Sequence, residues 1–499
     1  MDALVNLMQG FATAATPENL LMCFLGVLLG QIIGILPGIG PSAAIALLLP
    51  LTYGASPTGA IIMFAGLYYG AQYGGTLTSV LINVPGESTS VMTAIDGHQM
   101  ALQGRGGVAL GIAAIGSFIA GTLGTLGLML LAPLLAGAAL AFGPPEYFAL
   151  VALGLTALAA VGGSVLKGLA TGVAGLIIGT IGIDPQVGVP RFTFEQMWLF
   201  DGIDFIVMAV ALFGLGEVLA TTSGTGETKP ILDIGRVLPN REEWRQARMA
   251  ILRGTGVGFL IGVLPAAGAT IATFVAYIVE KKVAKDPSRL GKGAIEGVAG
   301  PESANNSASA GAMVPMFSLG VPGSNTTAVM LGALIMFGLR PGPEMFTTNS
   351  GLVWAVIASM YIGNIILLIM NLPLASMFAR MLAIPYSWIY PPIIVICLTG
   401  VLSHANSVED CWIMFGFGVL GWLMKRYDWP AAPMVLGLVL GPLFENTLRQ
   451  SLTLSHGSGM IFLSRPISAV LLVCAALAIA VPTITAVLMR NRTVDAPGA

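Results

Sequence analysis

Charge is what this chain mostly lacks. Only 9% of its 499 residues are Asp, Glu, Lys or Arg, against about a quarter in soluble domains. No Lys or Arg occurs before Arg105. A soluble globular protein is excluded on that ground, and the net charge of −2 points to no charged partner. The three histidines, His98, His404 and His456, are dispersed, so no histidine metal cluster or nucleophile–base pair is expected at membrane depth. The four cysteines, Cys23, Cys397, Cys411 and Cys474, lie in apolar segments without metal-ligand spacing and read as small packing residues. No G-x-x-x-x-G-K-[ST] phosphate loop appears, so any ATPase would have to be a separate chain. The alternation of membrane β-barrel strands is absent too. With no basic stretch at the N-terminus, no cleaved signal peptide is expected.

What the chain has is apolar length. It is 56% hydrophobic with a mean hydropathy of +0.87, room for about a dozen helical spans of roughly 20 residues each. Within the uncharged run Leu20 to Pro50 lies G-I-L-P-G-I-G-P-S, residues 34–42. Such turn chemistry at membrane depth survives only where protein buries it or it lines a polar cavity.

That stretch returns as G-V-L-P-A-A-G-A-T at 262–270, an offset of 228. Gly34, Leu36, Pro37 and Gly40 match Gly262, Leu264, Pro265 and Gly268. Farther on, V-P-G-E-S-T-S-V-M at 84–92 returns as V-P-G-S-N-T-T-A-V-M at 321–330, an offset of 237. Two matches in the same order indicate a duplication. The nine extra residues fit a longer polar loop after Glu280.

Basic residues orient the halves. Lys229, Arg236, Arg241, Arg245, Arg248 and Arg253 lie in the hydrophilic segment Thr221–Arg253, and five more lie between Lys281 and Lys292. Both loops belong in the cytoplasm by the positive-inside rule. The 27 residues between them, Gly254 to Glu280, therefore enter and leave on one side as a hairpin that turns at 264–268. The equivalent at about 20–53 has no flanking Lys or Arg, the pattern of a hairpin entering from the outer side. The expected fold is an all-α polytopic membrane protein of two inverted-topology repeats. Each carries a re-entrant hairpin and a discontinuous helix, with about 11 full spans plus the two hairpins. The divisions are 1–222, a cytoplasmic linker 223–253, 254–450, and a terminal span with tail 451–499. Broken spans are expected at 56–102 and 300–338. Unbroken ones are expected at 107–140, 145–160, 165–182, 203–222, 350–382, 386–402, 408–424, 430–448 and 465–489. The N-terminus falls outside and the C-terminus inside. Of the 22 Lys and Arg, only Arg191, Arg340, Arg449 and Arg465 then lie outside.

Inverted repeats with broken helices place a substrate site where the breaks meet. The candidate residues are Pro37, Gly38, Gly40 and Ser42 in the first tip, and Gly86, Glu87, Ser88 and Thr89 in the first interruption. Their counterparts are Gly268 and Thr270, then Gly323, Ser324, Asn325, Thr326 and Thr327. Helices starting after Gly86 and Gly323 would aim free N–H groups and positive dipole ends at an anion. No Lys or Arg lies near these breaks, so a carboxylate would be held by dipoles and hydroxyls, with a co-transported cation balancing its charge. Na+, where used, is expected near the hairpin tips. Glu302, Asn305 and Asn306, in G-P-E-S-A-N-N-S-A, are further site or gate candidates; the competing role is a solvated cytoplasmic loop. No cofactor is expected. Asp96 and His98 lie toward the cytoplasmic side, and Glu217 and Glu445 have capping or pairing roles.

These motifs, with Y-G-G-T at 73–76, resemble the large membrane subunit of bacterial tripartite tricarboxylate transporters over essentially the whole chain. The resemblance implies a secondary importer of citrate-like or other carboxylates in the bacterial inner membrane, driven by a sodium or proton gradient. It further implies a small membrane subunit of about four helices and a periplasmic substrate-binding protein as partners. By analogy alone, the paired hairpins suggest an elevator-type motion. The rival classes are an intramembrane enzyme, which the scattered histidines do not support, and a channel with a hydroxyl-lined filter.

Overall fold

The computed structural model describes residues 2–36, 40–52, 54–161, 164–184, 187–222, 234–265, 267–381, 390–405 and 407–494. The first half contains α1 (Asp2–Ala14), α2 (Pro17–Gly34), α3 (Pro41–Leu48), α4 (Pro57–Ile82), α5 (Val91–Leu102) and α6 (Gly106–Ala139). It continues with α7 (Pro144–Val161), α8 (Val165–Ile178), α9 (Phe205–Ala209) and α10 (Gly216–Thr222). The second half contains α11 (Arg241–Gly262), α12 (Gly268–Val283), α13 (Glu296–Leu319), α14 (Asn325–Met336), α15 (Ser350–Asn371) and α16 (Ala375–Arg380). After these come α17 (Tyr390–Ala405), α18 (Val408–Arg426), α19 (Ala432–Leu454), α20 (Ile461–Ser464) and α21 (Pro466–Val494). Among the described residues one antiparallel pair, β1 (Gly182–Ile183) with β2 (Pro190–Arg191), interrupts an otherwise helical chain, with Gly182 opposite Arg191.

Most expected spans coincide with helices to within a few residues, and both broken spans divide where expected. Three features differ. The stretch 241–253, placed in the linker, is the first part of α11, because Asn240 and Glu243 form a reciprocal capping box that starts a helix there. The span expected at 350–382 stops at Asn371 and resumes as α16, with Pro373 in the intervening turn. A separate helix, α1, precedes the first expected hairpin.

Among the described residues three helices, Pro17–Gly34, Gly106–Ala139 and Ser350–Asn371, are long and apolar enough to cross a membrane by length and composition. The more polar α4 and α13 have a different environment. Every residue from Gly59 to Leu81 of α4 is buried, as is every residue from Gly297 to Ser318 of α13. Side chains that never face lipid need not be apolar, so these two helices hold most of the polar residues considered below.

Two helix pairs pack alike. Gly26, Gly30 and Gly34 of α2 lie on the backbone of Met63, Leu67 and Ala71 of α4. Gly254, Gly258 and Gly262 of α11 lie on Gly300, Ala304 and Ala308 of α13. The glycines are 228 apart and their partners 237 apart, the two offsets of the sequence matches. A Cβ on Gly30 would come within 2.8 Å of the Leu67 Cα, and one on Gly258 within 2.6 Å of the Ala304 Cα. Small residues at this spacing let helix backbones approach closely. Gly258→Leu is expected to cost about 1–3 kcal/mol or more by overpacking. Gly256→Leu, with nothing within 4 Å of its Cβ position, is expected to stay within about 0.5 kcal/mol of wild type. Thermal melting of the purified protein checks the pair.

The chain's contacts define two compact units. The first, Met1–Ala139 with Ala209–Trp422, contains both glycine-packed pairs. In it α6 packs on α13, and α15 on α4, α2 and α1. The second, Leu140–Met208 with Leu423–Ala499, packs α19 on α7 and α8, and α21 on α7. Within it Asp184 and Glu445 together hold Arg191 and Arg449 at 2.5–3.4 Å, so Glu445 pairs as expected. Arg465 binds Glu146 at 2.9 Å. Cys23, Cys397 and Cys411 are buried, in keeping with packing, whereas Cys474 is exposed.

Candidate functional site

The breaks meet within the first unit. At the second tip α12 begins at Gly268, whose φ of +64° lies where glycine is favoured. The Gly268 N–H donates to the Gly323 carbonyl at 3.1 Å. Thr270, in the first turn of α12, shares a hydrogen bond of 2.9 Å with Ser88. One tip therefore touches both interruptions.

The first tip joins the same region from the other side. A Cβ on Gly86 would lie 2.5 Å from the Gly34 carbonyl oxygen and 2.6 Å from the Gly75 Cα, so this interruption lies hard against the end of α2. Beyond the tip Gly40 occupies the N-cap position of α3, which packs on α14. Pro37 and Gly38 lie outside the described residues. The contacts are exchanged between halves: α3 meets the helix after the second interruption, and α12 meets the 3₁₀ turn Ser88–Ser90 after the first.

The local chemistry follows from helix starts. Ser324 caps α14 by accepting from the Thr327 N–H at 3.2 Å, and Thr327 returns the contact by accepting from the Ser324 N–H at 2.8 Å. Ser324 also hydrogen-bonds the Tyr68 hydroxyl at 3.1 Å. Glu87 holds the N-cap position of the Ser88–Ser90 turn, and its carboxylate accepts from Thr89 at 2.5 Å. Thr89, Thr326 and Thr327 are buried; Ser42 and Thr270 are half-buried. Ser88 and Asn325, which correspond at the 237 offset, are both exposed. The N-terminal ends of α12 and α14 and the turn leading into α5 thus lie together, with hydroxyl and amide side chains and the Glu87 carboxylate around them, while α3 packs on α14.

Glu302, Asn305 and Asn306 are not in a solvated loop. They lie inside α13 and are at most 1% exposed. Glu302 accepts hydrogen bonds from Thr76 at 2.8 Å, Thr93 at 3.2 Å and Ser117 at 3.3 Å, which come from α4, α5 and α6. Among the described residues, both amide atoms of Asn305, the Asn306 nitrogen and the Gln72 oxygen have no hydrogen-bond partner. Sequence reasoning missed Tyr68, Gln72 and Thr76, which form one stripe of α4 facing Ser324, Ser309 and Glu302 in turn. Their four-residue spacing was available as a signal, but the partners lie more than 200 residues away.

Two more groups are fixed nearby. Asp96 is fully buried, accepting from the N–H groups of Gly291, Gly293 and Ala294, each at 2.9 Å, and from the Tyr277 hydroxyl at 2.9 Å. It thereby ties the basic loop after α12 to α5. His98 is half-buried, with its Nδ1 3.0 Å from the Val80 carbonyl.

A helical chain with three span-length apolar helices and further apolar ones is a multi-pass membrane protein. Residues 20–436 match the model of the tripartite tricarboxylate transporter TctA family, and the chain belongs to that family. It is 45% identical over 476 residues to an Agrobacterium vitis protein described as an uncharacterized 52.8 kDa protein in the TAR-I ttuC' 3' region, covering 95% of this chain and 94% of that one. A second Agrobacterium vitis protein, described as an uncharacterized protein in the TAR-II ttuC' 3' region, is 43% identical over 226 residues, 44% of this chain and 93% of that one. No solved structure matches the chain. The family is one of transporters working in a tripartite system, so this chain is a transport subunit with partner subunits.

Proposed function

We propose that this subunit carries a citrate-like di- or tricarboxylate across the bacterial inner membrane, coupled to a sodium or proton gradient. A periplasmic binding protein supplies the substrate, and a small membrane subunit of about four helices completes the complex. The observation that carries the reading is the meeting of the α12 and α14 starts with the turn before α5. Hydroxyl and amide side chains and the Glu87 carboxylate lie there, with no lysine or arginine within residues 84–90, 264–270 or 321–327. Helix N-termini present N–H groups without helical acceptors and a positive dipole end, which suits an anion. In this reading Ser42, Ser88, Thr270, Ser324 and Asn325 line the carboxylate site.

The inverted duplication, with α2–α3 and α11–α12 as re-entrant hairpins, has support from the packing. Glycine contacts recur at the two sequence offsets. Gln72 and Ser309, equivalent at the 237 offset, hydrogen-bond each other. Equivalent positions touch across a two-fold axis, so this contact fits a pseudo-two-fold axis between the halves.

The test is uptake of labelled citrate and related carboxylates into proteoliposomes containing the complete complex, with and without the binding protein. Accumulation is expected to require an imposed sodium or proton gradient. Accumulation that persists after both gradients are collapsed would contradict secondary transport.

A further inference from the structure

The polar stripe of α4 leads from the meeting of the breaks to a second polar centre. Tyr68 touches Ser324, Gln72 donates to Ser309, and Thr76 donates to Glu302. Eight residues of helix separate Tyr68 from Thr76, a rise of about 12 Å. At the far end Glu302 is wholly buried, and its hydrogen bonds come from three hydroxyls without any salt bridge among the described residues. A buried carboxylate without a counter-charge is costly and needs a reason.

The duplication supplies an internal control. At the offset of 237 the counterpart of Glu302 is Ala65 and that of Thr76 is Met313, both buried. The same helix seam is thus built in the other half without a carboxyl group. Packing alone does not require Glu302.

We propose that Glu302 is a proton-binding site of the transport cycle, loaded and unloaded as the carboxylate site about two helical turns away fills and empties. This rests on the transport reading above. A proton fits the surroundings better than a metal cation does. Thr76 and Ser117 sit inside α4 and α6, away from the helix ends, and in α13 the missing N–H of Pro301 frees the Gly297 carbonyl, more than a turn before Glu302. Sodium sites in transporters draw on carbonyls freed by unwound helix. The oxygens around Glu302 are hydroxyls, which donate to a carboxylate and can accept from a carboxylic acid. Loading is a simple protonation: one carboxylate oxygen gains H+, and the hydroxyl facing that oxygen turns from donor to acceptor. The unpartnered Asn305 amide and the Gln72 oxygen, both buried in the seam, provide polar atoms between Glu302 and the breaks.

Other titratable groups around Glu302 are accounted for. From α4 Tyr73 is near, but its hydroxyl donates to the Leu110 carbonyl. Glu87, at the first interruption, is a further carboxylate within electrostatic reach. On α5 Asp96 is held by four donors and His98 turns to the Val80 carbonyl. From α12 Glu280 lies against Gly300 and is neutralised by Arg253 of α11. The α6 helix has no titratable residue.

Two measurements on wild type, Glu302→Gln and Glu302→Asp test this. Infrared difference spectra of the purified protein across a pH titration need no substrate. The wild type is expected to show the carbonyl stretch of one buried carboxylic acid reversibly gained as pH falls, and Glu302→Gln is expected to lack it. In proteoliposomes with the complete complex and labelled citrate, Glu302→Gln is expected to lose about tenfold or more of proton-gradient-driven accumulation while citrate exchange stays within about twofold. Glu302→Asp should regain part of the accumulation. An unchanged infrared titration in Glu302→Gln, or proton-driven accumulation surviving in it, would overturn the proposal, as would wild-type accumulation driven by sodium alone. If wild type neither exchanges nor accumulates citrate, the citrate assignment fails, while the infrared titration still decides whether Glu302 binds a proton.

Discussion

Replacing Ser324 and Asn325 together by alanine is expected to lower carboxylate uptake by about a hundredfold or more while the protein stays folded. Hydrogen bonds to a charged ligand are worth about 1.5–3 kcal/mol each, and two of them reach that factor. The cost to the fold is smaller. Ser324 caps α14 and touches Tyr68, and losing a serine cap costs about 1 kcal/mol. Asn325 is exposed and contributes little to packing. The two effects separate when uptake is measured in proteoliposomes and melting on the purified protein. Near-normal uptake in the double variant would reduce both residues to a helix cap.

The second large effect concerns the ion pair between α11 and α12. Arg253 donates to both oxygens of Glu280, at 2.8 and 2.6 Å, and the Glu280 side chain is 1% exposed. Arg253→Met leaves that carboxylate buried without its partner and is expected to cost about 3–5 kcal/mol. Adding Glu280→Leu to Arg253→Met removes the orphaned charge and is expected to restore most of the loss, as replacing a buried pair by apolar residues is often neutral. Melting of wild type, single and double variants checks this. A single variant as stable as wild type would mean that water reaches Glu280 and the pair matters little.

Much of the helix layout was legible because the bilayer limits the choices. Long apolar stretches, proline and glycine at the breaks, and lysine and arginine in the loops locate α4 to α8, α13, α14, α18 and α21 closely, but the break between α15 and α16 and the short α20 went unread. The start of α11 was hidden because its first turns are as charged as a loop, and only the Asn240–Glu243 cap reveals a helix. The candidate site was legible where the motifs repeat. Ser88 lies against Thr270, and Ser324 against Gly268, two residues before Thr270. Glu302 was singled out from its sequence, but its partners were not, since Thr76, Thr93 and Ser117 come from three other helices. Asp96 resembled a residue near the membrane surface, and only the fold of the loop 291–294 around it shows why an acid is buried there.

The central claim is that the four breaks form one carboxylate site, and cysteine protection tests it most directly. Ser88→Cys and Asn325→Cys, each in a Cys474→Ser background, would be labelled with a hydrophilic thiol reagent in the complete complex. The carboxylate found to drive uptake is expected to slow labelling at both positions by about tenfold and to leave an exposed control, Leu166→Cys, unchanged. Equal labelling rates with and without that carboxylate at both positions, in protein that still transports it, would contradict the account.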